Sequence, residues 1–129
     1  MLFNRFNSGL SAALGLSLVL FAVTAQAGRI NSNLQIEPAQ TFELGGGQEG
    51  GFVVTGRNTG LVAVVVLGQV HGAKPVGRGT VAPVGNVHAT IGPGETALLR
   101  NTSAKETARL KLKVSGATAP LGMIHSANP

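Results

Sequence analysis

Ala108-Arg109-Leu110-Lys111-Leu112-Lys113-Val114 alternates apolar and basic side chains without a fault over seven residues. A period of two puts Ala108, Leu110, Leu112 and Val114 on one side of an extended chain and Arg109, Lys111 and Lys113 on the other. That is the pattern of a strand with one buried and one solvated face. A helix competes for the same residues: Ser103 and Glu106 have the spacing of a capping box, and Ala104, Ala108 and Leu112 share a helical face. The alternation is the cleaner pattern, so the sequence predicts a strand over Thr107 to Ser115.

The chain on either side reads the same way. After residue 27, seventeen glycines and six prolines cut the sequence into runs of five to nine residues, too short for ordinary helices and suited to strands. The further strand candidates are Ile30 to Ile36, Thr41 to Leu44, Phe52 to Thr55, Leu61 to Leu67, Thr80 to Ala82, Asn86 to Ile91, Thr96 to Arg100 and Leu121 to His125. Eight or nine short strands predict an all-β fold, a small two-sheet antiparallel sandwich of immunoglobulin-like general architecture. The turn Gly92-Pro93-Gly94-Glu95-Thr96 ahead of an apolar strand resembles those of bacterial immunoglobulin-like sandwiches, which implies a fold and no activity. There is also an internal echo. A Gly-containing turn, a Glu, an apolar strand and Arg57-Asn58-Thr59-Gly60 are matched by Gly92-Pro93-Gly94, Glu95, an apolar strand and Arg100-Asn101-Thr102-Ser103. Both halves then use an Asn-centred turn of Asx or left-handed geometry before a longer apolar strand.

The N-terminus has the grammar of an export signal. Arg5 gives a positive start, Leu10 to Val23 is apolar, and Ala25-Gln26-Ala27 is a small-x-small cleavage site. The apolar run is short of the roughly 20 residues a spanning helix needs, and no cysteine follows to carry a lipid. The expected division is a signal peptide over 1–27, an N-terminal strand or arm over 28–38, and a sandwich domain over 39–129. The processed chain of 102 residues is expected in the periplasm, outside the cell or on its surface, with no transmembrane anchor. It keeps nine cations against five glutamates, a formal charge of +4. That balance suits an anionic partner or simply solubility.

Composition excludes more chemistry than it suggests. Cys, Trp, Tyr and Asp are absent, which removes disulfides, thiol catalysis, zinc-thiolate sites, Asp-based triads and EF-hand loops. No Gly-x-Ser-x-Gly elbow occurs, and Glu43 and Glu49 flank a glycine turn as surface carboxylates do. Gly45-Gly46-Gly47 and Gly77-Arg78-Gly79 lack the Lys-Ser/Thr of a phosphate loop. No catalytic residue, cofactor or metal site is therefore assigned. The nearest metal candidate is Met123 with His125, a thioether and an imidazole on one face that copper(I) accepts; His71 and His88 are the other imidazoles. With only Phe42 and Phe52 as aromatic rings beyond residue 27, nucleic acid is not an expected partner.

Two interaction surfaces stand out. Arg109, Lys111 and Lys113 form a basic ladder spaced roughly 6 to 7 Å apart along one strand face, suited to an anionic polysaccharide. Leu61 to Leu67 has no polar side chain, so both of its faces call for cover, and Ile30 to Ile36 is an amphipathic strand set apart by Pro38. Ile30, Leu34, Ile36, Val62, Val64 and Val66 are accordingly the candidate self-association residues, with strand donation as the route to an oligomer or filament. The functional expectation placed first is a secreted, non-enzymatic, self-associating structural or adhesive component of the cell surface or extracellular matrix. A periplasmic module binding anionic glycan through the basic strand comes second, and a periplasmic copper carrier third.

Overall fold

The computed structural model describes residues 21–26, 28–118 and 121–128. Ten strands run in chain order: β1 (Phe21–Gln26), β2 (Arg29–Ile36), β3 (Gln40–Gly45), β4 (Phe52–Asn58), β5 (Val64–Val70), β6 (Val76–Val81), β7 (Asn86–Ile91), β8 (Glu95–Asn101), β9 (Ala108–Gly116) and β10 (Met123–Ala127). They form two antiparallel sheets, in the orders β1-β2-β9-β4-β7 and β10-β3-β8-β5-β6. From residue 28 onward the molecule is a four-stranded sheet packed on a five-stranded one, the all-β sandwich that the alternation predicts.

Alternation sets the packing. In β9 the burial pattern follows the sequence: Ala108, Leu110, Leu112 and Val114 are buried, while Arg109, Lys111 and Lys113 are exposed. The region before β9 is not a helix, although the capping residue does its usual work. Ser103 Oγ accepts the N–H groups of Lys105 and Glu106 at 3.1 and 3.0 Å, closing a turn instead of starting a helix. The core is built from Ile30, Leu34 and Ile36 of β2, Phe42 and Leu44 of β3, Phe52 and Val54 of β4, Val64 and Val66 of β5, Ile91 of β7, Leu99 of β8 and the apolar side of β9.

Of the two forms expected for residues 28–38, strand or arm, the structure has the strand. β2 pairs with β9 along its whole length, from Arg29 opposite Ser115 to Ile36 opposite Ala108. The leader expected over residues 1–27 lies outside the described residues except for 21–26, which form β1 against the far side of β2, from Phe21 opposite Leu34 to Gln26 opposite Arg29.

The run Leu61 to Leu67 needs correction. Its strand, β5, begins three residues later, at Val64, because Asn58 draws the preceding loop inward: its Nδ2 donates to the carbonyl of Val62 at 2.7 Å. Nor are both faces covered. Val62, Val64 and Val66 are buried, Ala63, Val65 and Leu67 are half-buried on the outside of the second sheet, and Leu61 is exposed.

The internal echo is a structural equivalence. Asn58 and Asn101 close β4 and β8, are buried at 1% and 0% exposure, and each accepts the N–H two residues ahead, from Gly60 and Ser103. Each unit then crosses to the opposite sheet, β4 to β5 and β8 to β9. The crossings run in opposite senses, so β4 pairs with β9 and β5 with β8 across the centre of the sandwich.

Candidate functional site

The outer face of the β2-β9-β4-β7 sheet follows from register. Paired residues in antiparallel strands share a face, so each row across the sheet can be read from the pairings. One row is Asn33, Lys111, Arg57 and Asn86; the next is Asn31, Lys113, Thr55 and His88; the outer rows are Gln35 with Arg109, and Arg29, Ser115, Val53 and Thr90. Five cations, Arg29, Arg57, Arg109, Lys111 and Lys113, are exposed among amides and hydroxyls.

Among the described residues no carboxylate joins them. Glu37 follows β2, Glu43 lies on β3 and Glu95 at the start of β8, both in the other sheet, and Glu49 and Glu106 are in loops. Among the described residues the one ion pair is Arg78 with Glu95, at the opposite sheet, where Glu95 also accepts the Gly92 N–H at 2.8 Å. The ion pair leaves that face untouched, and like charges meet there directly: Lys111 and Arg57 are register partners. Such a pair is unfavourable in an isolated sheet.

The centre of the face is an open cleft of about 550 Å³, lined by Asn31, Asn33, Thr55, Arg57, Asn86, Lys111 and Lys113 over a floor that includes Gly56. Gly56 has φ +156°, and a Cβ there would collide with the Lys111 carbonyl, so the close approach of β4 to β9 beneath the cleft requires glycine. The row from Asn33 to Asn86 crosses four strands, about 14 Å at the usual strand spacing.

The other sequence candidates separate in space. Arg109, Lys111 and Lys113 share this exposed face, as their alternation predicts, but the strands beside them widen it with Arg57, Asn31, Asn33 and Asn86. Arg57 was hidden within an apparent turn; the continued alternation Val53, Thr55, Arg57 was the available signal. The candidate self-association residues Ile30, Leu34, Ile36, Val62, Val64 and Val66 lie within the core cluster of their own chain, so their side chains are already covered intramolecularly.

The imidazoles do not converge. His71 is in the turn after β5, His88 is on the basic face, and His125 is on β10. Met123 and His125 do share a face, opposite Leu44 and Phe42, and the His125 ring lies 5.1 Å from that of Phe42 at 57°. Burial holds the His125 pKa below its ordinary value of 6.5, with the Glu37 charge pulling the other way. Among the described residues no three His or Glu side chains group as a metal site would need. Met123 packs on the core.

Comparison with protein-family models, curated proteins and solved structures gives no match.

Proposed function

We propose that the protein is an exported, non-enzymatic binding module that holds an anionic polysaccharide on the outer face of its β2-β9-β4-β7 sheet. The observation that carries this reading is the juxtaposition of Lys111 and Arg57 as register partners, flanked by Asn33 and Asn86, on a face without a carboxylate. Two adjacent cations repel each other until an anion lies between them. A sulfate, phosphate or uronate group supplies that anion, and Arg57 can bind it through two parallel N–H bonds. The amides of Asn31, Asn33 and Asn86 offer donors and acceptors for sugar hydroxyls. This reading moves ahead of the structural one because the side chains that would have joined subunits form the core.

The test is retention of the processed chain on immobilised sulfated polysaccharide, measured against neutral polysaccharide and single-stranded DNA. The expected result is salt-sensitive retention on the sulfated polymer that falls about tenfold in affinity when Lys111 and Arg57 are both replaced by Gln. Equal or tighter binding to DNA would move the module to nucleic acid. Retention unaffected by the double substitution would remove the site.

A further inference from the structure

From residue 28 onward the edge strands are β2 and β7 in one sheet and β10 and β6 in the other, and they differ in how they are guarded against pairing with another chain. β6 carries a register shift at Val66/Leu67 in its pairing with β5 and the positive-φ Gly79; β7 is six residues long and follows Pro83 and the strained Val84; β10 has only five residues. β2 has none of these features. It runs for eight residues without proline, lysine or bulge, and its outward side chains are mainly amides. The structure also shows that this edge accepts a strand, because residues 21–26 occupy it over six consecutive antiparallel pairs. Those residues fall before the cleavage site read at Ala27.

We infer that removal of residues 1–27 bares the outer edge of β2, and that two processed chains pair β2 against β2 across a two-fold axis. The sequence of the edge is self-complementary in one register. With Asn33 opposite Asn33 of the second copy, Asn31 meets Gln35, and Arg29 meets Glu37, at both ends of the interface. On the core side Ile30 meets Ile36, and Ser32 meets Leu34. Amide faces amide, cation faces carboxylate and Ile30 faces Ile36, with Ser32 opposite Leu34 the one mismatched pair, so one occupant, a second copy of the chain, complements the edge. This closes as a dimer and not a filament, because β2 stays in its own sheet and is not donated. It joins the two basic faces into one eight-stranded surface. The dimer does not depend on any polysaccharide, so the two proposals fail separately.

The experiment uses the full chain expressed with its own leader and recovered after export, its N-terminus established by intact mass and its oligomeric state by light scattering without ligand. The processed chain is expected to begin at Gly28 and to be a dimer. Arg29→Glu, Glu37→Arg and Asn33→Lys should each raise the dimer dissociation constant by about tenfold or more, since the Arg29–Glu37 contact occurs twice and Asn33→Lys sets two lysines opposite each other on the axis. Arg29→Glu with Glu37→Arg should restore it to within about threefold. Arg29 and Asn33 are exposed, and Gln35→Lys provides a further variant if one of these does not fold. A monomer at high concentration overturns the proposal, as do a product that retains residues 21–26, a dimer indifferent to Asn33→Lys, and a charge swap that fails to restore association.

Discussion

Asn101 joins three parts of the chain through a single amide. Its Nδ2 lies 2.9, 3.1 and 2.8 Å from the carbonyls of Ile36, Glu37 and Glu106, so two protons are shared among three acceptors in a fully buried site. Its Oδ1 takes the Ser103 N–H at 2.8 Å. Removing the amide strands the buried Ile36 carbonyl, at a cost of about 1 to 3 kcal/mol, and takes the partner from part-buried backbone groups of Glu37, Glu106 and Ser103. Asn101→Ala is therefore expected to lose on the order of 3 kcal/mol or more, read as a lower urea midpoint at unchanged slope. His125 makes a second prediction at this scale. Because its folded pKa is below 6.5, the unfolded chain binds its proton first as the solution is acidified. Its contribution is complete above about pH 6.5 and is lost as pH falls toward the lower folded value. His125→Phe, which keeps a ring beside Phe42, should flatten the stability profile as pH falls below about 6.5 in denaturant titrations.

At the scale of the element, β4 is the strand on which fold and face depend together. Val54 and Phe52 point into the core, Thr55 and Arg57 point out, and Gly56 lets β4 come close to β9. Gly56→Ala forces a Cβ against the Lys111 backbone and should destabilise by on the order of 2 kcal/mol or more, measured by thermal melting. Any folded fraction should bind anions more weakly, because the displacement falls on the strand that carries Lys111. The β6 edge has its own fastening. Arg78 donates to the Thr90 carbonyl at 2.8 Å and pairs with the buried Glu95, tying an exposed, glycine-rich strand to its neighbours.

For the whole molecule the informative feature is the division of charge between faces. Among the described residues five cations and no carboxylate occupy the outside of one sheet, while Glu43 and Glu95 belong to the other. Association with a polyanion is then governed by counterion release, and log affinity should fall in proportion to log salt. Replacing Lys111 or Arg57 by Gln should reduce that slope by about one each. Lys74→Gln, in the turn between β5 and β6, should leave it unchanged. Isothermal titration with sulfated polysaccharide across a salt series checks both outcomes.

Read on its own, the sequence determined the class of the fold and the exposed side of β9, because alternation is local: each residue's face follows from that of its neighbour two positions away. Asn86 to Ile91 was bounded correctly for the same reason. Export, ligand and assembly have no such local signature in the folded domain, and they stand as proposals. The tertiary structure decided what depends on register. That Arg57 lies beside Lys111, that Ile30, Leu34 and Ile36 belong to the chain's own core, and that β5 starts at Val64 all follow from pairings between residues distant in sequence. The free energy of those pairings comes from shared burial and from amides such as Asn58 and Asn101, whose partners no periodicity reveals.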